Sequence, residues 1–365
     1  MAGLRLTYRE VELRLSSPVR IARGVFRSAG VVEVEIAAGG TRGFGEAAPS
    51  GRYGESVQSA CVCLEQARGL LGPDPFALEE IGGRLAELPG ERAAKAAIDS
   101  ALHDLCGKLK GQPVWRLLGL PRTGPPTSWT IWLADPDEMA RRAEASGRFR
   151  RLKLKLGGHD GLDVERVRSV RGVTALPLSA DVNEGWTLAE ALEAIPQLAA
   201  LGVESVEQPL PAGDPEGLRL KKQSSIPIYV DENCQTLADL RSCAERGHGV
   251  NVKLAKSGGI REALRMVHAA RGLGLGVMLG CMIESTLGIA AACCVAPLCD
   301  HVDLDANLLL ARAEDRWLGL ELVDGVQVPS EAPGLGVRRA PPSVRRLAAP
   351  ARRVVSGAVR RARRS

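Results

Sequence analysis

The chain has 365 residues, 45% hydrophobic and 25% charged, which are globular proportions with room for two domains or a large barrel plus a smaller module. It has no 18-residue apolar run, the longest being roughly Leu287 to Cys299, and "MAGLRLTYREVELRL" carries charges where a signal peptide has its apolar core, so a soluble, cytoplasmic protein is expected. The net charge of +5 is misleading: Val337 to Ser365 holds ten arginines and no acid, and without them the body carries 5 − 10 = −5.

In chain order, "VVEVEI" alternates Val32, Val34 and Ile36 with Glu33 and Glu35 before Gly39 and Gly40, which predicts an antiparallel hairpin with one wet face. The nine cysteines include no CxxC pair, and Cys61 and Cys63 fall in a helix-like stretch, which argues for reduced thiols against a disulfide framework or a zinc site. "RAAKAAIDSALHDLCGKLKG" places Ile98, Leu102, Leu105 and Leu109 on one helical face and stops before Pro113. "GFGEAAP" lacks both the strand-helix setting and the third glycine of a dinucleotide fingerprint. Residues 1–122 therefore read as a small α+β domain.

From about Thr127 short apolar strands alternate with helix-like segments: "SWTIWL", "RLKLKL", "LPLSAD", "VESVEQP", "IPIYVDE", "GVNVKLAKSGG", "GLGVMLG" and "HVDLD". That alternation predicts an α/β fold, either a parallel barrel or a doubly wound sheet. The runs end in Lys155, Asp181, Glu207, Asp231, Lys253 and Asp303, at gaps of 26, 26, 24, 22 and 50 residues, the last spanning two units. A βα unit of about 25 residues returns the chain to the same end of the sheet, so these groups should converge on one rim. No stability argument gathers so many charges there, because burying an unpaired ion is costly.

Asp181, Glu207 and Asp231, from three successive strands, would offer oxygens to one hard divalent cation, and Mg²⁺ suits such donors. Lys155 and Lys253 would flank it and could act as bases on opposite faces of one carbon. Lys153, two residues before Lys155, should point to the same face roughly 6–7 Å away and depress the pKa of Lys155.

In these residues the chain resembles the enolase superfamily, muconate-lactonizing subgroup, over roughly residues 1–330. The motifs that match in order are "KLK" (Lys153, Lys155), "SADVNEGW" (Asp181, Asn183), "VEQPLP" (Glu207), "VDEN" (Asp231, Glu232) and "NVKLAKSGG" (Lys253, Lys256). The pairing of a lysine base with Mg²⁺ holding an ene-diolate is a known property of that superfamily. The resemblance implies a modified (β/α)7β TIM-like barrel over residues 123–333, including a C-terminal return to the cap, one Mg²⁺ per subunit, and an N-terminal α+β capping domain. It also favours Lys253 over Lys256 as the second base. "HVDLDANLLL", with Asp303 and Asp305, and "GCMIES", with Cys281 and Met282, are similar to dipeptide epimerases of the L-alanyl-D/L-glutamate type. By that likeness the two aspartates bind an α-ammonium group, and Arg23, or second Arg52, binds a glutamate γ-carboxylate through a bidentate fork. Thr130 would touch the substrate, beside a bulky Trp132.

The implied reaction is 1,1-proton transfer at the α-carbon of the C-terminal residue of a dipeptide such as L-alanyl-glutamate. Within the superfamily, o-succinylbenzoate synthase and muconate cycloisomerase chemistry compete, but neither needs to bind an ammonium group. A Schiff-base aldolase using Lys155, or a non-catalytic barrel whose basic tail binds nucleic acid, would leave the three carboxylates without purpose. Residues 334–365 read as a basic, disordered tail that binds anions non-specifically. A homo-oligomer is compatible with the sequence, and neither a membrane nor a specific nucleic acid is expected as a partner.

Overall fold

The computed structural model describes residues 3–311 and 314–341. The first strands, β1 (Arg5–Ile21), β2 (Gly24–Ala38) and β3 (Thr41–Ala47), form an antiparallel sheet in chain order. Val32, Val34 and Ile36 are fully buried against the cap helices α1 (Val57–Ala67), α2 (Leu78–Ala86) and α3 (Arg92–Lys110). Gly43 and Gly45 give α3 its close seat on β3: a Cβ on Gly45 would stand 2.0 Å from the carbonyl oxygen of Ala97.

The opposite face of the hairpin is not wet as expected, because Glu33 is only 3% exposed. Arg9 donates to it at 2.8 Å and the Trp317 indole at 3.2 Å, so a later part of the chain covers this face. Leu109, expected on the same face of α3 as the buried Ile98, Leu102 and Leu105, is exposed.

After α4 (Val114–Leu117) come eight parallel strands: β4 (Trp129–Ile131), β5 (Leu152–Lys155), β6 (Leu178–Asp181), β7 (Val203–Glu207), β8 (Ile228–Val230), β9 (Gly249–Val252), β10 (Gly276–Gly280) and β11 (His301–Asp303). They pair in chain order, and a bridge from Thr127 to Val302, with Ser128 N donating to Val302 O at 2.8 Å, joins the first strand to the last. Helices α5 (Pro136–Glu144), α6 (Asp163–Val173), α7 (Leu188–Ala200), α8 (Gly217–Gln223) and α9 (Leu240–Arg246) follow β4 to β8 in turn. The short α10 (Leu254–Ser257) and α11 (Ile260–Gly272) follow β9, and α12 (Thr286–Cys293) follows β10. This is the (β/α)7β barrel with its separate N-terminal sheet domain. Leu152, Leu154 and Leu156 are buried among the helices, which turns Lys153 and Lys155 to the barrel interior.

After β11 come α13 (Ala306–Leu309), β12 (Trp317–Leu318), the hairpin β13 (Leu320–Val323) and β14 (Val326–Pro329), and β15 (Arg338–Arg339). Residues 334–341 do not belong to a disordered tail: β15 pairs with β12, and Leu335, Val337 and Ala340 are buried. Asp104 of α3 holds this return, accepting from Leu335 N and from Phe44 N at 2.8 Å each. The tail arginines from Arg345 onward lie outside the described residues. Among the described residues no helix is long and apolar enough to cross a membrane.

Gly45→Ala is expected to lower the unfolding free energy by about 2 kcal/mol or more, because α3 must lift off β3 to admit the methyl group. Urea denaturation against the parent protein measures it, and an unchanged midpoint contradicts the close seat.

Candidate active site

The strand register brings the charged residues into line. Lys155 pairs with Asp181 and Asp181 with Glu207 at adjacent strand ends, while Asp231 and Lys253 each stand one residue past β8 and β9. Counting round the barrel, β5 and β9 are four strands apart, which places Lys155 and Lys253 on opposite sides of the rim. The three proposed metal acids rise from the strands between them.

A cavity of about 380 Å³ opens here between barrel and cap. Of the residues singled out above, Lys153, Lys155, Lys253, Asp231, Asp303, Asp305, Arg23, Arg52, Thr130, Cys281 and Met282 all line it, with Trp132 and Tyr53. Asp181 and Glu207 lie under that lining, 1% and 2% exposed. Lys256 is not part of the lining. Its ammonium is buried on the backbone oxygens of Asp231 and Asn251, at 2.7 and 3.0 Å, and on the Asp231 carboxylate. It positions an acid, and Lys253 alone of the two meets the cavity.

Lys153 and Lys155 share a carboxylate. Lys153 reaches down among carboxylates, 2.6 Å from Asp303, 2.7 Å from Glu207 and 3.2 Å from Asp181, and Lys155 approaches the same Asp181 oxygen at 2.5 Å. The acid between them compensates both. Burial opposes the Lys153 charge, yet Asp303, Glu207 and Asp181 outweigh it and raise its pKa. Lys253, 2.8 Å from Asp231, is raised for the same reason. Burial pushes Asp181 and Asp231 upward, but the lysines beside them hold both well below the usual carboxylate range. Glu207, pushed up by burial and by Asp181, is only partly offset by Lys153.

Asp303 ends β11, whereas Asp305 stands beyond it at the start of α13 and accepts from Thr130 N at 2.8 Å. Burial and Asp303 push Asp305 up to about 7. Arg23 donates through Nη1 to Glu232 at 2.6 Å, to Asn183 O at 3.0 Å and to Glu184 at 3.1 Å. Arg52 grips Glu184 with two bonds of 2.7 Å, so the Nε and Nη2 edge of its fork is occupied. Trp132 places its ring 5.8 Å from the Lys155 ammonium, a cation–π contact.

Sequence reasoning missed the residues that aim these groups. Asn251 donates to Glu207 at 2.7 Å, and Gln208 accepts from the backbone N–H of Asp231 and Glu232 at 2.9 and 3.0 Å. Both stand inside the matched motifs, but a polar residue beside an acid carries no spacing signal of its own.

No three acids, thiols or imidazoles among the described residues form a ready-made metal cage, because ammonium groups stand between the carboxylates. The donor chemistry nevertheless fits a hard divalent cation. Asp181, Glu207 and Asp231 offer oxygen alone, and Glu207 Oε2 and Glu232 Oε2 are buried without a hydrogen-bond partner among the described residues. Lys153 lies 2.7 Å from that Glu207 oxygen without hydrogen-bond alignment.

Residues 4–119 match the family described as mandelate racemase / muconate lactonizing enzyme, N-terminal domain, and residues 136–341 match the family described as enolase C-terminal domain-like. The chain is 38% identical over 341 residues to the L-Ala-D/L-Glu epimerase of Bacteroides thetaiotaomicron, covering 92% of this chain and 88% of that one. It is 36% identical over 342 residues to a hydrophobic dipeptide epimerase of a Flavobacteria bacterium, covering 91% and 97%. A solved dipeptide epimerase from Enterococcus faecalis, complexed with Mg and the dipeptide L-Leu-L-Tyr, superposes with a TM-score of 0.87 at 31% identity, covering 93% of this chain and all of that one.

Glu284, 5% exposed beside the Met282 loop, gives a pH test. Burial pushes its carboxyl from 4.5 up to about 7, so the folded state holds a proton that the unfolded state has lost. Its contribution is fully present below about pH 4.5 and fades as pH rises toward 7. Glu284→Gln should gain on the parent protein across that window by on the order of 3 kcal/mol. Denaturation midpoints at pH 4.5 and 8 check it: a gap that stays constant places an ionised Glu284 in the fold.

Proposed function

The chain belongs to the enolase superfamily, and from that premise we propose that it epimerises dipeptides by 1,1-proton transfer at the α-carbon of the C-terminal residue. One observation carries the reading: Lys155 and Lys253 rise from strands on opposite sides of the barrel and line the same cavity, with the acid set between them. A carbon held there has an amine on each face. One lysine, as free amine, takes the α-proton; the electron pair left behind spreads into the adjacent carboxylate; the other lysine, as ammonium, returns a proton to the opposite face. Each turnover exchanges the protonation states of the two lysines.

Asp181, Glu207 and Asp231 would hold one Mg²⁺ per subunit, which would supply positive charge for the substrate carboxylate. Asp303 and Asp305 receive the substrate's α-ammonium group, with Lys153 keeping Asp303 in place and Thr130 N keeping Asp305. Trp132 restrains the Lys155 head. Arg23 meets an acidic side chain: all its side-chain hydrogen bonds among the described residues use Nη1, which leaves the Nε and Nη2 edge of its fork for a γ-carboxylate. The cytoplasm is the compartment that suits nine unpaired cysteines.

With Mg²⁺ in D₂O, the enzyme should introduce one deuterium per molecule at the α-carbon of L-alanyl-L-glutamate and yield both epimers. Mass spectrometry and chiral chromatography read this out, and absence of exchange with every dipeptide refutes the reading. Lys155→Ala and Lys253→Ala should each cut epimerisation by about 10³-fold or more. Each variant should still exchange the α-proton of one epimer only, and the two should differ in which. Full epimerisation in either variant defeats the two-base scheme.

A further inference from the structure

Two separate segments of the cap reach the barrel rim, and both end on one carboxylate. Arg23, in the turn between β1 and β2, and Arg52, in the single 3-10 turn Gly51–Tyr53, each bond to Glu184, whose side chain is 10% exposed. Glu184 is itself tightly held. It sits in the left-handed region at φ 71, its N–H donates to Gln208 O at 2.8 Å, and its Oε1 accepts from Ala212 N at 2.7 Å. A non-glycine residue in that conformation is uncommon and persists where its surroundings fix it.

The first cap segment arrives by close packing as well. A Cβ on Gly157 or on Gly185 would come within 3.0 Å of the Ala22 methyl, so these two glycines form the notch in which the residue before Arg23 is seated. Leu133 N donates to Arg20 O at 3.0 Å on the other side of it. With Ala22 lodged, the direction of the Arg23 head is set by what Nη1 meets: Glu184, Glu232 and Asn183 O. Glu184 differs from the other two in also holding Arg52.

We propose that Glu184 is a positioning residue for side-chain selection, latching both cap segments to the rim and turning the open edge of the Arg23 fork toward an acidic substrate side chain. The proposal rests on the dipeptide reading of this cavity. Glu184 touches neither lysine, so its effect falls on recognition of the acidic group and not on proton transfer. Removing its charge frees Arg52 and leaves Arg23 to Glu232 and Asn183 O.

The experiment compares Glu184→Gln with the parent enzyme on L-alanyl-L-glutamate and L-alanyl-L-leucine, with Mg²⁺ present. The expected result is a KM for alanyl-glutamate raised about tenfold or more, with kcat and the KM for alanyl-leucine each within about threefold. Equal losses on the two substrates would reduce Glu184 to a structural role and overturn the proposal, and so would an unchanged KM for alanyl-glutamate. Hydrogen–deuterium exchange of both proteins supplies an arm independent of turnover. Faster exchange in residues 20–27 and 50–54 of the variant, with barrel strands unchanged, supports the latch, and unaltered exchange there refutes it. If the parent enzyme exchanges no dipeptide proton at all, the reaction class fails while this arm still decides the latch.

Discussion

Lys153 carries an ammonium group 2% exposed at the heart of the barrel, and three carboxylates from three other strands surround it within 3.2 Å. Taking one such charge out of water costs several kcal/mol, and the site tolerates it only when every partner arrives. Asp181 and Glu207 arrive by strand register, since they stand at the ends of β6 and β7, the first and second strands beyond β5. Asp303 arrives only because the sheet closes, bringing β11 round to β4. The cluster therefore couples barrel closure to the placement of the catalytic rim. A mispaired strand would leave a buried ammonium short of a carboxylate.

Behind the acids stands a further layer of polar groups that fixes their direction. Lys256 bonds to the carboxylate and the backbone oxygen of Asp231, Asn251 holds Glu207, and Gln208 holds the backbone after β8. These bonds run from strand to strand across the rim, so each acid is located by its neighbours as well as by its own chain. Such preorganisation means that little reorganisation is left when charge moves at the reacting carbon. The cap is tied to the same rim. Glu46 of β3 accepts from Ser285 N at 2.8 Å at the start of α12, and the Glu184 cluster receives Arg23 and Arg52. The C-terminal return closes the circuit, with Trp317 packed at a tilt on Phe44, ring centroids 5.0 Å apart, and hydrogen-bonded to Glu33.

Much of this was legible before any coordinates. Strand ends spaced by about one βα unit put the ionisable residues on one rim, and the alternation in "RLKLKL" turned both lysines inward. Of Lys253 and Lys256 only the first lines the cavity, for a reason the local pattern does not contain: the second ammonium is taken up by backbone oxygens and the Asp231 carboxylate. Where the reading failed, a distant segment had intervened. Glu33, on the hairpin face expected to be wet, is covered by Trp317, and within residues 334–341, expected in the tail, Arg338 and Arg339 pair with β12. The two lysines of one strand share a carboxylate of the next, which alternation alone does not show.

The sequence by itself determined a small α+β domain followed by alternating strands and helices, the rim on which the acids and lysines gather, and the chemistry those groups are equipped for. These are consequences of periodicity and residue type, which act within one βα unit at a time. Only the tertiary structure decided which charge faces which: that Lys153 meets three acids and Lys155 one, that Arg52 is occupied by Glu184, and that Arg23 keeps one edge of its fork open. The physical reason is that charge pairing depends on distances of a few ångströms between strands far apart in the chain. Alternation and spacing specify a face or an end of the sheet, and they leave open the partner found there.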